Sequence, residues 1–88
     1  MIMKLNFEKS WRGAMTLDEM NPGLRCIMSD LTAEGALGQR LMDLGFYPGA
    51  EICVVRNAPL VDPVELELDG YHVSIRHEEA RHVEVKQA

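Results

Sequence analysis

Six side chains late in the sequence are of types that can ligate a metal: Glu67, His72, His77, Glu78, Glu79 and His82. Imidazole nitrogen and carboxylate oxygen together suit zinc or iron. If Asp69-Gly70 closes a two-residue hairpin, Glu67 and His72 stand opposite each other on neighbouring strands, so two ligand atoms could converge. His77 and His82 flank a turn. None of these spacings is a specific metal motif, and a solvated polar face produces such neighbours by itself. The plainer reading is an ordinary charged surface. No cofactor is required; if a divalent metal (iron or zinc) binds weakly, Glu67, His72, His77 and His82 are the candidate ligands.

Covalent chemistry finds less support. Ser10, Ser29 and Ser74 lie in no nucleophile elbow. No GxGxxG or phosphate-binding loop occurs, and Gly35 and Gly38 lack the context that phosphate binding needs; close packing explains them as well. Cys26 and Cys53 form no CxxC pair and no zinc motif. Each lies in a segment that reads as a strand, where a cysteine behaves as a small hydrophobe. The chain therefore reads as a binding module rather than an enzyme.

The elements that would position these residues emerge from periodicity and turn chemistry. Val64, Leu66 and Leu68 alternate with Glu65, Glu67 and Asp69, and Tyr71, Val73 and Ile75 alternate with His72, Ser74 and Arg76. Between the two runs sits Asp69-Gly70, a preferred hairpin loop. Closing it pairs Leu68 with Tyr71, Leu66 with Val73 and Val64 with Ile75 on one face, and Glu67 with His72 and Glu65 with Ser74 on the other. Residues 24–30 and 51–57 read as further strands, the first with Cys26 and Met28 inward. Residues 82–86 read as the last strand, with Val83 and Val85 inward. Residues 33–44 read as the one substantial helix, with Thr32 as N-cap and Leu37, Leu41 and Leu44 as its apolar stripe. Gly45 suits the left-handed residue past its end, and Phe46 can touch Leu41 as in a Schellman motif. Tyr47-Pro48-Gly49-Ala50 reads as a type II turn, and 77–80 as a short helical turn. Thr16 can cap another short turn, before the Asn21-Pro22-Gly23 turn signal. The sum is a mostly β fold with one short helix. Its five antiparallel strands would bend into a small barrel that hides their edges. Residues 1–14 show no clear period and read as a loosely ordered N-terminal extension; residues 15–88 read as the domain.

Composition narrows the function. The chain has 88 residues, 47% of them hydrophobic, and a net charge of −5. That length holds one compact core and little room for a deep cleft. Acidic balance and scattered basic residues argue against a nucleic-acid partner. No apolar run approaches the roughly 20 residues of a membrane-spanning helix, and the first residues carry no apolar stretch of signal-peptide length. The expected location is the cytoplasm, without membrane insertion. Oligomeric state is left open.

Several apolar residues have no inward assignment: Leu60 and Val61 in a Pro-flanked loop, and Ile27 and Val55 in the strands. They either form a partner surface or plug the open ends of the barrel.

Three segments together resemble the FeoA family. Residues 40–49, RLMDLGFYPG, are similar to that family's Arg-Leu, Leu-Gly, Pro-Gly helix end and turn. Residues 56–63, RNAPLVDP, are similar to its Ala-Pro-Leu-Gly-Asp-Pro loop, with Val61 where Gly is usual. Residues 70–85 carry Ile75-Arg76 and Glu79-Ala80, placed like the family's Leu-Arg and Glu-Ala. The resemblance covers about residues 15–86. It implies an SH3-like barrel and a non-catalytic accessory role in bacterial ferrous-iron uptake, binding or regulating the cytosolic domain of the GTP-dependent transporter FeoB. The alternative is a metal-binding or metal-sensing SH3-like domain of the iron-dependent repressor type. There the fold is joined to DNA-binding and dimerisation domains, which 88 residues cannot hold. In the implied fold the helix end lies near loop 58–63, so Phe46, Tyr47, Leu60 and Val61 are the expected partner-binding residues.

Overall fold

The structure, a computed structural model, describes residues 15–88. The extension expected over 1–14 lies outside the described residues. Six strands form one antiparallel sheet: β1 (Met15–Thr16), β2 (Arg25–Leu31), β3 (Glu51–Arg56), β4 (Val64–Leu68), β5 (Tyr71–Ile75) and β6 (Val83–Gln87). Their order is β1-β6-β2-β3-β4-β5. Helix α1 (Gly35–Leu44) joins β2 to β3, α2 (His77–Ala80) joins β5 to β6, and a 3-10 turn (Leu17–Glu19) comes after β1.

The 64–75 hairpin has the register its alternation dictates. Val64 pairs with Ile75, Leu66 with Val73 and Leu68 with Tyr71; Glu65 pairs with Ser74 and Glu67 with His72. Asp69 and Gly70 both take positive φ, 49° and 90°, as a type I′ turn requires. The turn is also tied to β3: Asp69 donates its amide to Glu51 O at 2.8 Å and accepts from the Glu51 amide through Oδ1 at 3.0 Å.

One face of the sheet is apolar. Cys26, Met28, Ile52, Val54, Val64, Leu66, Leu68, Ile75, Val83 and Val85 are buried, with Leu17, Met20, Leu41 and Phe46 in the same cluster. No polar or charged residue is buried among the described residues. A single sheet with one ten-residue helix can bury that face only by curling onto itself. Bulges between Met28 and Asp30 and between Val54 and Arg56 supply bends.

The expected small, mostly β barrel of about five antiparallel strands is present, with two refinements. A sixth strand, β1, pairs with β6, too short at two residues to show a period. The sheet is also open, with β1 and β5 as its edges. That edge position exposes Tyr71, at 77%, although its place in the alternation points it inward; Val73 is half-buried.

Helix α1 begins later than its apolar pattern suggests. Gly35 has φ 63°, a left-handed conformation that a continuous right-handed helix cannot pass through. Glu34, not Thr32, is the N-cap, with no side-chain cap bond. Thr32 instead donates its amide to His82 O at 2.8 Å, joining the sheet. At the other end the Schellman motif forms: Phe46 N–H bonds Leu41 O at 3.1 Å and Gly45 N–H bonds Met42 O at 2.9 Å. Leu44 is 40% exposed, so the buried stripe narrows to Leu41 with Leu37 beside it.

Leu66 has zero exposure at the centre of β4. Leu66→Ala should destabilise by about 2–5 kcal/mol in urea unfolding, whereas Tyr71→Ala should change stability by about 0.5 kcal/mol or less. Equal effects would show that the inward face is misassigned.

Candidate functional site

The loop from Asn57 to Pro63 leaves β3 and enters β4. Ala58-Pro59-Leu60-Val61 is a β-turn closed by Val61 N–H to Ala58 O at 3.1 Å. Leu60 takes φ 61°. With Pro at the second position and positive φ at the third, this is a type II turn. Glycine is the residue that suits that third position; leucine there is strained by roughly 1–2 kcal/mol. The Leu60 side chain is 99% exposed and Val61 57%. The barrel-plug reading of Leu60 is thereby excluded.

A set of directional bonds fastens the two shoulders of this loop. Asn57 donates through Nδ2 to Met20 O at 2.7 Å and Asp18 O at 3.0 Å. Both partners are carbonyls that only accept, so the amide oxygen must face the other way. It faces His77 Nε2 at 2.7 Å, which makes that ring nitrogen the donor. The other ring nitrogen, Nδ1, lies 2.7 Å from Asp62 Oδ1, and the His77 backbone N–H donates to the same oxygen at 2.8 Å. One imidazole therefore bridges Asn57 and Asp62.

The expected metal ligands do not assemble. Glu67 and His72 are register partners, yet His72 Nε2 lies 3.4 Å from Glu65 Oε1, and Glu65 is also 3.7 Å from Arg56. Both His77 ring nitrogens face oxygens, Asp62 Oδ1 and Asn57 Oδ1. His82 Nδ1 lies 3.4 Å from Thr32 Oγ1. Glu79 accepts from the Arg76 amide at 2.9 Å and pairs with Arg40. Among the described residues no three of His, Cys, Asp and Glu are grouped to hold an ion. The two cysteines are free; burial, reinforced by nearby Cys53, pushes the Cys26 thiol up to about 11.

The expected partner surface also changes. Phe46 has zero exposure: as the residue two past the helix end in the Schellman motif, it is consumed by the core. Tyr47 is 53% exposed but stands at the opposite end of β4. A side chain at Gly45 would touch Leu68 at 3.3 Å, and Leu68 ends the strand that the loop begins. Five residues of strand separate the two places by roughly 15 Å. Helix end and loop do not form one surface; Leu60 and Val61 remain together.

Asn57 and Asp62 are not among the site residues that the sequence points to. The hairpin register ends at Val64↔Ile75, and His77 meets Asp62 as the first residue of α2, a contact that no local pattern announces.

A FeoA domain matches residues 15–87. The chain belongs to the FeoA domain family. A Porphyromonas gingivalis protein, a fusion of Fe(2+) transport protein A and the Fe(2+) transporter FeoB, is 36% identical over 72 residues; these are 82% of this chain and 8% of that protein. The solution structure of the FeoA protein from Chlorobium tepidum is 40% identical, with a TM-score of 0.75 over 83% of this chain and 70% of that one. The crystal structure of Stenotrophomonas maltophilia FeoA, complexed with zinc and described as an SH3 domain protein, is 28% identical, with a TM-score of 0.74 over 83% and 91%. The SH3-like fold expected from the resemblance is thus shown, as an open six-stranded form. The likeness to T. acidophilum IdeR, at 20% identity and TM-score 0.73 over 84% of this chain and 34% of that one, concerns the fold alone. Among the described residues no helix of this FeoA-family chain is long and apolar enough to cross a membrane.

The His77–Asp62 bonds give the loop an expected dependence on acid. The backbone amide of His77 and then its imidazole hold Asp62 below the usual carboxylate range, outweighing desolvation. A carboxyl lowered in this way stabilises the fold above its unfolded value, about 4, and loses that contribution as pH falls through its folded value. Wild type should therefore exceed Asp62→Asn in stability at neutral pH, and the two urea midpoints should converge below about pH 4. A constant spacing down to about pH 2 would show that the Asp62 carboxylate contributes nothing.

Proposed function

We propose that this FeoA-family chain is a non-catalytic accessory module of ferrous-iron uptake that acts in the cytoplasm and binds the cytosolic part of a FeoB-type transporter through the 57–63 loop. The observation that carries the reading is Leu60. A leucine that is 99% exposed in a left-handed turn position adds nothing to the core and strains the backbone. Such a residue is intelligible as a contact for something outside the chain. The partner's identity draws support from the Porphyromonas gingivalis protein, where a segment similar to this chain is part of one polypeptide with FeoB. Tethering raises the effective concentration of two modules that meet weakly. The acidic composition, with net charge −5, fits a protein partner better than a nucleic acid.

The test is calorimetric titration of the chain with the cytosolic domain of the transporter from the same organism. Wild type should bind. Leu60→Asp should keep its circular dichroism spectrum and lose at least about tenfold in affinity, the scale of an interface anchor. A folded Leu60→Asp variant with wild-type affinity would move the working surface elsewhere.

A further inference from the structure

The residue that makes Leu60 a rigid contact is not in the loop. We infer that His77 is the positioning residue of the recognition loop: its imidazole clips the loop's two shoulders together so that Leu60 is presented, already ordered, to an apolar hollow of about one leucyl side chain on the partner.

Four bonds converge on this clip. His77 Nε2 faces Asn57 Oδ1 at 2.7 Å, on the shoulder that leaves β3. His77 Nδ1 and the His77 amide face Asp62 Oδ1 at 2.7 and 2.8 Å, on the shoulder that precedes β4. Asn57 is held from behind by its bond to Met20 O at 2.7 Å. Between the clipped shoulders lie only Ala58, Pro59, Leu60 and Val61. Pro59 fixes one φ in this span, and the Val61–Ala58 bond closes the turn. A segment of four residues held at both ends by one ring has little freedom left to lose on binding, which is how an ordered contact gains affinity without a larger surface.

Histidine suits this task by its shape. The ring nitrogens lie at opposite edges of a flat group and face oxygens on different sides, Asn57 Oδ1 and Asp62 Oδ1; the protonated ring donates to both. Lysine would carry its three N–H donors on one atom at the end of a flexible stem, without two fixed edges. Glutamine would reach one shoulder at a time. The short α2 helix supports the ring from below: His77 is its first residue, and its carbonyl accepts from the Arg81 amide at 3.1 Å. The His77 side chain is 23% exposed, so most of it is covered, and what touches the partner is Leu60.

The inference rests on the proposed role of the loop, and two measurements separate their failures. The first is a double-mutant cycle in the same titration with the transporter's cytosolic domain. If His77 acts by presenting Leu60, His77→Ala should weaken binding about tenfold in the wild-type background and leave it unchanged in the Leu60→Ala background. The second uses the free chain alone. Backbone order parameters at Leu60 and Val61 should be near about 0.85 in wild type and fall towards about 0.6 or below in His77→Ala. His77→Gln, which keeps one donor, guards against a variant that does not fold and should also loosen the loop. Equal weakening in both backgrounds, or order parameters unmoved in the folded variants, would overturn the inference. If wild type does not bind the transporter domain, the proposed function fails, and the order parameters still decide whether His77 mounts the loop.

Discussion

The register of the hairpin formed by β4 and β5 is the constraint on which both the core and the loop depend. Asp69 and Gly70, both at positive φ, set the pairing of each later residue. A slip of one position would turn Val64, Leu66 and Leu68 out and bring Glu65 and Glu67 in. That exchange is forbidden in a core with no polar residue buried among the described residues. The same turn is hooked to Glu51 through the Asp69 amide and carboxylate, so β3 is aligned with the hairpin from its first residue. Just beyond its last pair, Val64 with Ile75, the His77 amide and ring bond the Asp62 carboxylate, so the loop is fastened next to the end of the hairpin.

Much of this is legible in the residues. The hairpin pairs, the inward Cys26 and Met28, the Schellman end at Gly45 and the Pro48-Gly49 turn each rest on a local rule, and the fold agrees with all of them. The departures come where a local rule meets a tertiary demand. Thr32 is a good N-cap by type, but its amide bonds the His82 carbonyl, and the positive φ of Gly35 makes that residue the earliest at which the helix can start. Tyr71 alternates correctly, yet lies on an edge strand with no neighbour to cover it. Phe46 is legible twice, as the apolar residue of a helix-end motif and as an aromatic anchor. Only the first use survives, because a side chain with zero exposure has none left for a partner. The site is less legible than the fold. Exposure of Leu60 can be suspected from its loop, but the clip joins residues 15 and 20 positions apart in sequence through a ring whose type equally suits a metal ligand.

The polar chemistry of this chain is organised on the outside. A sheet that curls around an apolar interior needs no buried polar network to choose its partners, since register does so. Bonds such as those from Asn57 to Asp18 and Met20 therefore serve another purpose: they stiffen a loop. The arrangement suits a small domain. Stability of a domain is only about 5–15 kcal/mol, so a strained, exposed leucine persists only where the surrounding loop over-determines its backbone.

The substitution at residue 61 fits the same logic. Val61 stands where the resemblance would have glycine, which raises the question of whether the turn survives. It does, because the left-handed residue is Leu60, not Val61: φ is positive at Leu60 and Asp69 alone among the described non-glycine residues. Position 61 asks only for an amide that reaches Ala58 O, and valine supplies it. A β-branched residue there stiffens the turn further and, being 57% exposed, sets a second apolar group beside the first. The departure from the family pattern leaves the backbone turn of the loop intact and sets an exposed Val61 beside an exposed Leu60.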